Sequence, residues 1–169
     1  MKSAEEEFRK ESVRSLGESE PVTVSRTTTL GEALDKLRVP DSGGCVIVVD
    51  TVGGQPKPVG IITERDYLDR IVQRVDAGAD AALAAPVEDY MTVDPKTLSE
   101  NADLEKAIQL MTTGGGYRHL PLVDDNGLLT GLILTRDIIA FLAQSFPVEI
   151  MNLPPQLHQD ERIDSREGG

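Results

Sequence analysis

The sequence predicts a mixed α/β (α+β) fold built from two β-α-β-β-α repeats packed with pseudo-two-fold symmetry, and three observations carry that expectation. First, Val13 to Asp50 lies over Val87 to Asp124 at a constant offset of 74 residues, with Val13, Pro21, Thr23, Ser25, Leu30, Ala33, Val49 and Asp50 recurring identically. Second, the offset then becomes 71, and Gly60, Ile62, Arg65 and Asp66 return as Gly131, Ile133, Arg136 and Asp137. The three-residue change falls in a hairpin loop, where a change of length costs little. Third, helix-spaced apolar residues alternate with short Val-rich runs set off by glycines. Two copies are too few for a solenoid, so the simplest packing places them about an approximate two-fold axis.

Each element follows from local chemistry. Val22 to Val24 reads as a short β segment. Thr29 and Glu32 form a Thr-x-x-Glu capping box for a helix whose inner face carries Leu30, Ala33, Leu34 and Leu37. Gly43 and Gly44 break the chain before Cys45 to Asp50, an apolar run too short for a helix and therefore a buried strand. Pro58 to Thr63 returns through a Gly53-Gly54 turn, and a second helix from Glu64 is expected to turn Tyr67, Leu68, Ile71 and Val75 inward. In the second copy Asp103 to Met111 is the first helix, Gly114 to Gly116 the break and Leu120 to Asp124 the strand. Asn126-Gly127 is the tight turn, and Leu128 to Leu134 and Thr135 to Phe146 complete the unit. The expected organisation is a charged segment at 1–12, repeats at 13–76 and 87–146, a linker at 77–86, and a polar tail at 147–169 that stays largely mobile.

Composition narrows the function. Seventeen basic residues against 29 acidic ones leave a net charge of −12, which disfavours generic attraction to nucleic acid or to an anionic membrane, so any phosphate must be held locally. Aromatic residues make up 4% and Trp is absent, which leaves little for base-stacking platforms. The single cysteine, Cys45, excludes an internal disulfide framework and points to a reducing compartment. The charged start, with Glu5, Glu6 and Glu7 in succession, is no secretory signal, and no apolar run approaches the roughly 20 residues of a membrane span. The expectation is a soluble, cytoplasmic protein.

The ordered series of motifs resembles the cystathionine-β-synthase (CBS) domain family in both copies. It comprises Pro-x-Thr near each start, Leu-x-x-Ala in the first helix, a Val-x-Asp-like middle strand, and Gly60-Ile61-Ile62-Thr63-Glu64-Arg65-Asp66. Val87-Glu88-Asp89-Tyr90-Met91-Thr92 and Arg118-His119-Leu120-Pro121 belong to the same series. The likeness covers Val13 to Ala143. It implies one compact module whose two clefts hold adenosine-containing ligands such as AMP, ADP, ATP, NAD or S-adenosylmethionine, and it implies a homodimer. The contacts it implies are Ile62, Thr63, Arg65, Asp66, Arg118, His119, Thr135 and Asp137. Asp66 would accept from ribose hydroxyls, Thr63 would donate to phosphate or ribose, and Arg118 with His119 would approach the phosphates from the other copy.

Independent chemistry asks for the same three parts: an apolar slot, a fixed carboxylate, and cations or donors for phosphate. Ile61 and Ile62, then Thr63 and Asp66 at a helix start, supply the first two. Arg is the better phosphate fork of the basic pair. A plainer reading stands beside this one: Thr63-x-x-Asp66 is also a capping box, Arg118 a surface cation and His119 a satisfied core histidine. The second copy departs from the pattern. Leu134 stands opposite Thr63, moving the hydroxyl to Thr135, and Gly44 and Cys45 stand opposite Arg118 and His119. Two unequal sites are expected, with the Asp66 cleft the better phosphate binder.

Other candidates carry less. Gly114-Gly115-Gly116 lacks the Lys-Ser/Thr of a P-loop, Cys45 reads as a core thiol, and His119 with His158 builds no metal site. No catalytic residue and no required cofactor is expected. The favoured function is a non-catalytic sensor of adenine nucleotide, read by an unidentified effector protein. The alternative is a dimerisation or docking module that binds no ligand.

Overall fold

The computed structural model describes residues 10–16, 19–68, 79–113 and 115–145. The expectations for Glu5 to Glu7, Ile71, Val75, Gly114, His158 and the tail fall outside them. The chain divides into two compact units, 1–138 and 139–169; within the second, the described residues are Ile139 to Ser145, the remainder of the final helix.

In the first repeat, β1 (Thr23–Ser25) runs parallel to β2 (Cys45–Val52), which pairs antiparallel with β3 (Gln55–Thr63). Between β1 and β2 lies α1 (Leu30–Leu37). Thr29 caps it as expected, with Glu32 N–H donating to Thr29 Oγ1 and Thr29 N–H donating to Glu32 Oε2 at 3.1 Å. The turn α2 (Glu64–Asp66) follows β3. A short helix α3 (Ala79–Ala84) leads into the second repeat, where β5 (Leu98–Ser99), β6 (His119–Val123) and β7 (Leu129–Leu134) form a three-stranded sheet. Its helices are α4 (Leu104–Thr112) and α5 (Thr135–Ser145). The hairpin between β6 and β7 is closed by Asp124, whose Oδ1 accepts from Asn126 N–H and Leu128 N–H at 2.9 and 2.8 Å.

One strand lies where the repeat reading did not place it. Strand β4 (Thr92–Val93), at the start of the second repeat, adds to β3 of the first, pairing Gly60 with Val93 and Ile61 with Thr92. The first repeat returns the exchange through an isolated bridge from Ser19 to Leu132. Two further pairs obey the 74-residue offset. Val13 N–H donates to Ala102 O as Val87 N–H does to Thr28 O, at 3.0 and 2.8 Å. Leu104 N–H donates to Glu11 O as Leu30 N–H does to Ala85 O, at 2.7 and 2.8 Å. Each repeat thus clasps the other with its own leading segment, and that reciprocity is the pseudo-symmetry in atomic terms.

Packing explains why the β2 run is apolar without alternation: its sheet is covered on both faces. Val46, Val48 and Ile62 join Val24, Leu30, Ala33, Leu37, Val87 and Met91 in one core. Cys45 and Ile47 face Leu129, Leu132 and Leu134 of the second repeat. Leu68 is a correction to the expected inward face. It is 62% exposed, because Tyr67 turns to the core and the next helical position points about 100° away from it. Among the described residues no helix is long and apolar enough to cross a membrane.

Candidate functional site

The chain breaks of the two repeats face each other. Gly43 and Gly44 take φ of 66° and 78°, a left-handed pair that ordinary residues resist, and a Cβ on Gly43 would stand 2.6 Å from Leu134 Cδ1. Glu64 N–H then donates to Gly44 O at 3.3 Å, and its counterpart Thr135 N–H donates to Arg118 O at 3.1 Å. Between these ends opens a cavity of about 940 Å³. Equivalent residues of both halves line it: Gly43 and Tyr117, Gly44 and Arg118, Thr63 and Leu134, Glu64 and Thr135, Arg65 and Arg136. It extends only toward the Asp66 side, past Thr92 and Lys96. Lys96, Arg65, Arg118 and Arg136 face Glu64, Asp66 and Asp94 across this hollow, a local excess of positive charge in a strongly acidic chain.

Six of the eight expected residues line this one hollow: Thr63, Arg65, Asp66, Arg118, His119 and Thr135. Two do not. Ile62 is fully buried in the helix-side core, because strand alternation turns its neighbour Ile61 toward the cavity instead. Asp137 is absent from the wall; its carboxylate accepts from Leu134 N–H at 2.7 Å, at the start of α5.

Asp66 is held by a full capping box. Its Oδ2 accepts from Thr63 N–H at 3.0 Å and from Thr63 Oγ1 at 2.8 Å, and Thr92 Oγ1 donates to Oδ1 at 3.3 Å. The capping alternative raised by the sequence is therefore present, yet Asp66 also lines the cavity, and the cap fixes its carboxylate's orientation. In the second copy the hydroxyl has left this arrangement: Thr135 Oγ1 donates to Arg118 O at 3.4 Å and approaches Met111 Sδ at 3.7 Å.

His119 spans the two repeats. Its Nε2 lies 2.9 Å from Gly43 O, so this nitrogen carries the proton and donates. Burial pushes the imidazole pKa below its ordinary value; the Gly43 carbonyl and the Glu64 charge oppose that shift, and Arg118 and Arg136 reinforce it. The ring is a neutral donor at neutral pH. Burial also pushes the Cys45 thiol up to about 12, which leaves it a core residue with no nucleophilic character. No group of three metal-ligating side chains occurs among the described residues.

The sequence reasoning missed Thr92, Asp94, Lys96 and Tyr117, all on the wall. Tyr117 precedes the basic pair and is 38% exposed. Lys96 sits where the first copy has Val22, a charge-for-apolar exchange that the repeat alignment contains.

Comparison with known proteins gives concordant matches. The CBS domain model matches residues 13–73 and 87–144. An uncharacterized 17.7 kDa protein of Acidianus ambivalens is 34% identical over 115 residues, covering 68% of this chain and 63% of that protein. Among solved structures, protein MJ1225 of Methanocaldococcus jannaschii superposes with a TM-score of 0.69 at 30% identity, over 79% of this chain and 50% of that one. The CBS domain protein PAE2072 of Pyrobaculum aerophilum, solved in complex with AMP, superposes with a TM-score of 0.60 at 27% identity, over 79% of this chain and 98% of that one. The chain spans 63% of the length of the first curated relatives it matches.

Proposed function

Because this chain belongs to the CBS domain family, with two such domains in tandem, we propose that it is a regulatory module that senses an adenine nucleotide in the hollow between its repeats. The observation that carries the reading is that Asp66 of one repeat and Arg118 of the other line a single cavity. A nucleotide requires an acceptor for its ribose diol and a cation for its phosphate, separated by the length of one small molecule. Asp66, oriented by Thr63 and Thr92, accepts from the ribose hydroxyls. Arg118 and Arg65 take the phosphate, Thr135 donates to it, His119 ties the two halves of the cavity together through Gly43 O, and Ile61 and Tyr117 supply apolar wall. The AMP held by the Pyrobaculum aerophilum protein supports this ligand class.

The ligand regulates only if it favours one arrangement of the repeats over another. A nucleotide touching both Asp66 and Arg118 does so by bridging the halves. The reading includes a homodimer acting in the cytoplasm and an effector protein that reads the liganded state, with no catalytic turnover. Sedimentation with and without AMP tests the assembly. One observation favours the second reading, a docking module without ligand: Thr63 and Asp66 already satisfy each other as a helix cap. A thermal-shift and calorimetric panel of AMP, ADP, ATP, NAD and S-adenosylmethionine separates the two. Saturable binding of an adenine nucleotide supports the sensor, and no binding by any of them supports the docking module.

A further inference from the structure

Val22 and Lys96 are equivalent under the 74-residue offset, and the fold treats them differently. In the first repeat Ile47 N–H donates to Val22 O at 2.9 Å, and Val22 packs on the helix-side core. The counterpart of Ile47 is Pro121, in the middle strand of its sheet, a place proline avoids because it has no N–H to give. The bond that would hold Lys96 O to β6 cannot form. Parallel pairing accordingly starts at Leu98 with Leu122, one step later than the Thr23 with Ile47 of the first repeat.

The segment ahead of β5 uses this freedom. Asp94 takes φ of 50°, the one left-handed residue other than glycine among those described, although it precedes Pro95 and that position resists helical backbone angles. Its counterpart Glu20, ahead of Pro21, shows no such turn. An extended strand presents alternate residues to one face, but here Asp94, Pro95 and Lys96 all line the cavity in succession. Thr92, on the other side of the turn, remains on β4 and holds Asp66.

We infer that Pro121 releases the Asp94 turn from the sheet and so delivers Lys96 to the cavity as a further phosphate-binding cation, one that reads a polyphosphate more strongly than a monophosphate. An ammonium on a flexible stem acts as a point charge, so its contribution grows with the anionic charge it faces. The inference deepens the nucleotide reading and rests on it for the base and ribose, while the charge it assigns can be tested without either.

Calorimetric titration of the full chain with AMP, ATP and inorganic tripolyphosphate tests it. Lys96→Met keeps the stem and removes the charge; it is expected to weaken ATP and tripolyphosphate by roughly fivefold and AMP by less than about twofold, with a shallower salt dependence. Pro121→Ala restores the N–H and leaves every charge in place, and it is expected to weaken the same two ligands. Equal weakening of AMP and ATP, or of neither, overturns the role of Lys96. Unchanged ATP affinity in Pro121→Ala overturns the release. Should no nucleotide bind while tripolyphosphate binds and loses affinity in Lys96→Met, the nucleotide reading fails and the cation assignment stands; if neither tripolyphosphate nor any nucleotide binds, both are overturned.

Discussion

Replacing Asp66 with alanine separates the two roles its carboxylate holds. The cap loses its acceptor for Thr63 N–H and Thr63 Oγ1, at 3.0 and 2.8 Å, and a lost N-terminal cap costs about 1 kcal/mol. For a protein of this size that lowers the ligand-free melting temperature by roughly 2–4 °C. The ligand role has a different signature. Wild-type protein at 100 times the AMP dissociation constant gains about 2.7 kcal/mol, a rise of roughly 5–11 °C. A charge-assisted hydrogen bond contributes about 1.5–3 kcal/mol, so its removal weakens AMP on the order of 10- to 100-fold. At the same AMP concentration a 100-fold loss leaves only about 0.4 kcal/mol, near 1 °C. Asp66→Asn keeps an acceptor oxygen for the cap and removes the charge, so it is expected to melt near wild type and still lose most of the AMP shift. Differential scanning fluorimetry of the three proteins with and without AMP reads all of these. An Asp66→Ala protein that melts lower yet keeps the full AMP shift refutes the ribose role and leaves a cap alone.

Three further outcomes are expected. Gly60→Ala places a Cβ against Met91 Sδ and 2.9 Å from its Cγ, inside a filled core at the β3–β4 crossing, and should destabilise by about 1–3 kcal/mol in chemical denaturation; an unchanged midpoint contradicts that packing. His119 has its folded pKa depressed below the unfolded one, so the unfolded chain binds the extra proton between the two values: stability is complete above about pH 6.5 and declines as pH falls through the folded pKa. His119→Gln should flatten melting temperature against pH in that window, and an unaltered slope speaks against it. Cys45, buried with its thiol pushed up to about 12, should resist a thiol reagent at pH 8 until the protein unfolds; rapid labelling of folded protein would place it at the surface.

The parts of the fold legible in the sequence are those fixed by local chemistry. The Thr29-x-x-Glu32 box, the glycine breaks and the Asn126-Gly127 turn each act within a few residues, and the repeat carried the order of elements from one half to the other. The crossing of β4 onto β3 was not legible, because it pairs segments of different repeats far apart in the chain and no local motif marks the partner. The face of Ile62 was hidden for a related reason: β2 and β3 are buried on both sides, so apolar residues run without alternation and the pattern does not distinguish Ile61 from Ile62. At the site, the matching of Thr63, Asp66, Arg118 and His119 to family motifs brought forward residues that meet at one cavity. Lys96 and Asp94 escaped notice because their place on the wall depends on a left-handed turn and on a hydrogen bond that Pro121 cannot make.

Backbone amide shifts of labelled protein titrated with AMP test the sensing role most directly. Perturbation concentrated at Thr63 and Asp66 in the first repeat and at Thr92, Tyr117, Arg118 and His119 in the second is the expected result. Saturable shifts confined to one repeat, or centred on the surface groove of Ala102 to Gln109 beside α4, would contradict a nucleotide held between the halves.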